Sequence, residues 1–425
     1  VTNAQDQGDA VRTAEQASPP WREPGMPALL VMTAFAFAGF AVMLPVAPMH
    51  MVALGGDEFL AGLVNAVLMA ATILTQLVVE RMRSWIGWRV SLALACLLLG
   101  LPALGEILAS APWQVLALAA VRGIGFGIIT VSGSSAVAAL FPPGRRGRAI
   151  GAYGLAVAGA QLVLTPVAPW IADRAGLPVA LAVAALPLAG IPFAIAAGAA
   201  ISRHVRAAAA IDLPGRVRPG PARHERRSED RHVLVRLGPP ILALTAVTCA
   251  GGALTTFTPQ FVPDAVLTVA SLFLYAAAAA FARWFVGGLA DRHGAERFIL
   301  PGLAIAALGL GSIAAGISGL TGSAAPVLLV VGAFLVGSSF GIMQNVTLVR
   351  AFELAGEHAK GVASTAWNVA FDAGTGIGAL AIGALAAGTS FTLSFVALTA
   401  LCLVVALALL VTGGRLPKAR DEARN

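Results

Sequence analysis

Two ionisable side chains stand deep inside apolar runs. Arg122 lies in AAVRGIGFG, nine residues into a run that begins near residue 113. At ~1.5 Å per residue it is about 14 Å inside a helix that crosses a bilayer. Asp372 lies in WNVAFDAGTGIG, eleven residues after residue 361, which gives about 16 Å and a similar depth. An arginine there needs water, a carboxylate or carbonyl oxygens. It either packs helices through carbonyls, or tunes a proton-binding carboxylate or touches a substrate. A carboxylate at that depth is suited to take up and release a proton as its surroundings change. Asp372 is the first candidate, with a structural role beside Asn368, Trp367 or backbone as its alternative. Glu106, about a turn inside the edge of the third apolar run, is the second. One of the two would load protons from outside and the other would trade against substrate.

The elements that must hold these groups follow from composition. The chain has 425 residues, 58% apolar and 12% charged, with mean hydropathy +0.84. Soluble chains carry about 25% charged residues, so an ordinary cytosolic enzyme is excluded. Runs of about 20 apolar residues fall near 27–49, 59–79, 90–109, 113–139, 149–171 and 178–200, and again near 238–262, 265–290, 298–318, 325–349, 361–386 and 390–412. The expected architecture is an all-α membrane protein with twelve transmembrane helices in two six-helix bundles, residues 27–200 and 238–412. A tail (1–26), a basic linker (201–237) and a second tail (413–425) complete the chain. Residues 1–25 lack the apolar core of a secretory signal, so the first run is expected to stay in the mature protein.

Charge orients the spans. Arg81, Arg83, Arg89, Arg145, Arg146, Arg148, Arg292, Arg297, Arg350 and Lys360 lie in the even-numbered connections. The linker adds nine arginines against Asp212, Glu225, Glu229 and Asp230. The odd-numbered connections carry Asp57, Glu58, Asp173 and Asp264, with Arg174 their one basic residue. Basic residues gather on the cytoplasmic side, so both termini and the linker are expected there, beside anionic lipid rather than nucleic acid. Lys360 and Lys418 are the only lysines among 28 basic residues, which points to a bacterial cytoplasmic membrane.

Few other polar groups lie within the spans. Asn65, Gln76, Gln161, Gln260, Gln344, Asn345 and Asn368 are the amides. A sugar site needs many hydrogen-bonding partners, so this set suits an amphipathic, drug-like solute. Gln344 and Asn345 are the leading substrate contacts, followed by Asn368 and Gln161. Cys96, Cys249 and Cys402 are scattered in apolar runs and read as small core residues. Five histidines fall in cytoplasmic segments and His50 at an outer edge. No metal site, cofactor or catalytic constellation is expected, and no Walker sequence is present.

The halves repeat each other. At an offset of 214, Gly123 matches Gly337, Phe126-Gly127-Ile128 matches Phe340-Gly341-Ile342, and Gly147 matches Gly361. Such duplication is expected of alternating-access transporters.

The sharpest motif is GGLADRHGAER, residues 287–297. It resembles the major facilitator superfamily signature, Gly-x-x-x-Asp-Arg-x-Gly, with Gly287, Asp291, Arg292 and Gly294 in its four positions and Arg283 preceding them. Asp291 is placed to face the positive end of a neighbouring helix. In the first half, Glu80-Arg81 followed by Gly87-Trp88-Arg89 reads as a degenerate copy with about four residues inserted before the glycine. Arg122 and its glycines resemble the superfamily's intramembrane arginine motif. In span 5, Pro166 survives from the Gly-Pro signature of drug:proton antiporters, while Ala152, Gln161 and Thr165 replace glycines. Gly151, Gly154 and Gly159 are expected to give a close-packing face. The stretch through span 11 is similar to bacterial efflux permeases. The resemblance implies a monomeric, proton-coupled exporter of a drug-like or antibiotic molecule, with uptake of a small organic solute as the alternative.

Overall fold

The computed structural model describes residues 19–211, 233–262, 264–356 and 359–413. Most of both tails and residues 212–232 of the linker lie outside them. Every regular element among the described residues is helical, as a bilayer demands of a spanning chain that is not a closed barrel. Twelve helices are long and apolar enough to cross a membrane.

The first half comprises α1 (Met26–Ala53), α2 (Glu58–Gln76), α3 (Val79–Ile107), α4 (Pro112–Leu140), α5 (Pro143–Ala175), α6 (Leu177–Val183) and α7 (Ile191–Ile211). The sixth span is α6 and α7 joined through a 3₁₀ turn at Leu186–Gly190, where Pro187 interrupts the regular ladder. The second half comprises α8 (Gly238–Phe261), α9 (Ala265–His293), α10 (Ile299–Ile317), α11 (Ala325–Ala355), α12 (Lys360–Gly388) and α13 (Phe391–Gly413).

The chain divides into two compact units, Val1–Gly55 with Val67–Pro219, and Gly56–Ala66 with Gly220–Asn425. The start of α2 thus belongs to the second unit, where Asn65 Nδ2 donates to Thr256 Oγ1 at 2.9 Å. The core of that unit is aliphatic and aromatic, with Phe257, Leu303, Leu310 and Phe395 fully or nearly fully buried.

Packing gives the duplication a residue-level register. A Cβ on Gly123 or Gly127 would collide with the carbonyl oxygens of Leu68 and Thr72. On Gly337 or Gly341 it would collide with those of Tyr275 and Ala279. The fourth helices therefore correspond at an offset of 214 and the second helices at 207. Small residues allow this approach, and it leaves no room for a methyl group. The offset of 207 recurs at the helix starts. Asp57 Oδ1 accepts from the Leu60 amide at 2.9 Å, and Asp264 Oδ1 from the Leu267 amide at 2.7 Å, each capping orphan donors of a first turn. It continues into the third helices: Ser339 Oγ donates to the Gly302 carbonyl at 2.8 Å, and a Cβ on the equivalent Gly125 would lie 3.0 Å from the Ala95 carbonyl.

This register revises the reading of the first-half motif. Gly87 (φ 76°) falls opposite Gly294 (φ 86°), both in the left-handed region that glycine adopts without strain. No residues are inserted before Gly87. Ser84 and Trp85, not Glu80 and Arg81, stand at the positions of Asp291 and Arg292. The halves differ instead in continuity: α9 runs unbroken through its motif, while turns at residues 77–78 separate α2 from α3. Among the described residues, the expected close-packing face of span 5 meets no neighbour. A Cβ on Gly151, Gly154 or Gly159 would meet nothing within 4 Å.

Candidate functional site

Arg122 and Glu106 meet. The glycines after Arg122 bring α4 close to its neighbours, and Thr72 Oγ1 donates to the Gly123 carbonyl at 3.1 Å. Arg122 Nη1 then reaches Glu106 Oε1 of α3 at 2.7 Å. Arg122 is 2% exposed and Glu106 0%. His50, near the C-terminal end of α1 and 8% exposed, places Nδ1 3.8 Å from Glu106 Oε2. Arg122 Nη2, Glu106 Oε2 and His50 Nδ1 are all buried without a hydrogen-bond partner among the described residues. An ion pair with donors and acceptors to spare is costly to bury, and its open valences can take a proton or a ligand.

The second half shows that the fold does not need the charges. At offsets of 207 and 214, Glu106 and Arg122 correspond to Ile313 and Val336, which are 1% and 0% exposed. Two buried aliphatic side chains stand there in place of the ion pair. Hydrophobic replacement of a buried ion pair is often neutral or stabilising, so retaining charge in one copy calls for a reason other than stability.

The other predicted residues fall into separate groups. Asp372 is buried on α12, 5% exposed. Its neighbour Trp367 donates Nε1–H to Thr347 Oγ1 at 2.9 Å and stacks on Phe371 with ring centroids 5.5 Å apart. Exposed Asn368 donates to the Ser364 carbonyl one turn back, at 2.7 Å. Gln344 and Asn345 join α11 to α9: Arg283 Nη1 donates to Gln344 Oε1 at 2.9 Å, and Asn345 Nδ2 donates to the Arg283 carbonyl at 3.2 Å. Half-buried Gln161 of α5 makes no hydrogen bond among the described residues.

Sequence reasoning missed two members of these groups. His50 sits at a span edge, and its approach to Glu106 arises only from the packing of α1 on α3. Arg283 had a legible signal, standing ten residues before the end of α9 and therefore about 15 Å from it. Its counterpart at offset 207 is Gln76, whose Nε2 donates to Thr130 Oγ1 at 3.3 Å. Thr130 in turn corresponds to Gln344 at offset 214. One cross-helix polar link thus occurs twice, neutral in one half and charged in the other.

Within the motif, Gly294 ends α9, and a Cβ on Gly287 would lie 3.2 Å from Asn345 Nδ2. Asp291 and Arg292 are exposed and form no ion pair among the described residues. The ion pair of this segment runs through Glu296, which receives Arg350 Nη2 at 3.0 Å; Arg350 Nη1 also reaches Glu353 at 3.0 Å. In the first half, Glu80 pairs with Arg83 and accepts from Ser135 Oγ at 3.0 Å. Arg81 lies over the Trp85 ring at 5.6 Å.

A family model described as Major Facilitator Superfamily matches residues 29–379 and 266–425. The chain belongs to the Major Facilitator Superfamily. Solved structures agree on the fold. A bacterial homologue of the human lysosomal transporter Spinster, inward-facing and unoccupied, superposes with TM-score 0.68 at 16% identity, covering 94% of this chain and 98% of that one. A peptide transporter, POT, in complex with sulfate gives 0.71 at 17% identity over 92% and 95%. The nucleoside transporter NupG gives 0.67 at 12% identity over 91% and 99%. No curated protein sequence matches significantly. The chain is therefore a multi-pass membrane transporter of the secondary, major facilitator type.

Proposed function

We propose that this major facilitator protein is a proton-coupled exporter of an amphipathic, drug-like molecule. It would work by alternating access, as a monomer in a bacterial cytoplasmic membrane with both termini cytoplasmic. One observation carries the coupling. The Glu106–Arg122 pair is buried with unsatisfied atoms, where the duplicated half packs Ile313 and Val336. Protonating Glu106 removes the charge that compensates Arg122, and the guanidinium then needs another acceptor. That step links proton occupancy to the arrangement of α3 and α4. Asp372, buried on α12, is the second proton site. The substrate class is supported by scarcity: few amides lie in the spans, and Gln344 and Asn345 are already engaged by Arg283. Export is supported by the similarity of span 11 to efflux permeases; in span 5 only Pro166 of the antiporter signature is kept.

The test is efflux from a pump-deficient host, screened with a panel of amphipathic compounds. Expression should lower accumulation of at least one compound, and a protonophore should abolish the effect. Glu106→Gln and Asp372→Asn should insert normally yet lose proton-driven efflux. Energy-dependent accumulation of a solute inside the cell would overturn export in favour of uptake. Unchanged efflux by Glu106→Gln would overturn the coupling role.

A further inference from the structure

The structure leaves two buried atoms facing each other without partners, His50 Nδ1 and Glu106 Oε2, 3.8 Å apart. An orphaned buried donor or acceptor is destabilising, the more so when charged. One proton between the two groups satisfies both, because Nδ1–H can donate to Oε2 or Oε2–H to Nδ1. Glu106 has no exposed surface from which to take a proton directly, whereas His50 is 8% exposed and lies three residues before the end of α1.

We infer that His50 is the group through which Glu106 gains and loses its proton. The inference rests on the reading of Glu106 as a coupling site. In the loading step the Nδ1–H bond of a His50 imidazolium breaks and an Oε2–H bond forms on Glu106. Imidazole and carboxyl are both left neutral, and Arg122 holds the single positive charge. Net charge within the cluster is +1 before and after, so no counter-ion has to enter. Unloading reverses the step.

Among the described residues, His50 and Glu106 form ion pairs only with each other and with Arg122; the next carboxylates along the chain, exposed Asp57 and half-buried Glu58, stand at the start of α2. α4 carries Arg122 as its only ionisable side chain; α3 adds the buried Cys96 ten residues from Glu106, and its Glu80, Arg81, Arg83 and Arg89 gather at its opposite end. At the corresponding end of α5, Asp173 and Arg174 are exposed and pair with each other at 3.8 Å; Tyr153 lies twenty residues away along that helix. Residues 177–190 contain no ionisable group, and those of α7 (Arg203, His204 and Arg206) stand near its opposite end.

Time-resolved infrared spectroscopy after a pH jump, on the full chain in liposomes without substrate, reads this step directly. A carboxyl C=O band that is present in the wild type and missing from Glu106→Gln reports proton arrival at Glu106. His50→Gln should slow the appearance of that band by about 100-fold, the scale of a lost general acid. In His50→Ala, added imidazole should restore part of the rate, which a purely structural histidine would not permit. An unchanged rate in both His50 variants, or slowing without imidazole rescue, overturns the role of His50 and leaves the coupling site standing. A wild-type spectrum without the Glu106 band overturns both.

Discussion

A lone charge and a matched pair have very different costs inside a bilayer. Arg122 without Glu106 is an uncompensated cation with no exposed surface to speak of, and breaking such a pair costs about 3–5 kcal/mol. Glu106→Ile alone should therefore destabilise the purified protein by that amount in a thermal or denaturant unfolding measurement. The double substitution Glu106→Ile with Arg122→Val copies the Ile313–Val336 arrangement. It should recover wild-type stability or exceed it by up to about 4 kcal/mol, while proton-driven transport stays lost. A double variant as unstable as the single one would show that the two halves are not equivalent at these positions. Arg122 was legible because a guanidinium in a 29-residue apolar helix has few explanations, and Asp372 for the same reason. Glu106 was less so, since its position one residue from the end of α3 hides its burial. His50 was not legible at all, because nothing in its own helix announces a partner 56 residues away.

At the scale of helices, hydrophobic length was enough to find all twelve spans, because a bilayer leaves no other solution for runs of that kind. Helix interruptions were harder. The division of the sixth span near Pro187 and the turns at residues 77–78 depend on which neighbour fills the gap, information that hydropathy does not hold. Glycine roles divided the same way. Gly123 and Gly337 were found as a repeat, and packing explains them; a Cβ on Gly151, Gly154 or Gly159 would meet nothing among the described residues. Gly337→Ala should thus cost about 1–3 kcal/mol through forced separation of α11 from α9. Gly151→Ala should be neutral or stabilising by up to about 1 kcal/mol, the gain in helix propensity. Equal melting temperatures for the two variants would contradict the close approach at Tyr275.

For the molecule as a whole, the distribution of arginines makes topology testable. With the native Cys96, Cys249 and Cys402 buried, a single added cysteine reports its own side. Ser110→Cys, between α3 and α4, should react with a membrane-impermeant maleimide in intact cells. Arg297→Cys, between α9 and α10, should react only after permeabilisation. The reverse pattern would invert the assigned orientation. The family and the duplication were readable from composition, one motif and five matched residues at offset 214. The register of the second and third helices was not, because it uses a different offset, 207, and the sequence around Gly87 invites a false alignment through Glu80 and Arg81.

The apolar counterpart of the ion pair has an evolutionary consequence. One backbone arrangement accepts either charge or hydrocarbon at the same two positions, and two substitutions separate the forms. On the proposed role of Glu106 and Arg122, energy coupling in such a protein is a detachable property. A lineage can discard its dependence on a gradient, or recover it, without rebuilding the scaffold around it. Descendants that differ at these two positions should include both driven pumps and passive carriers.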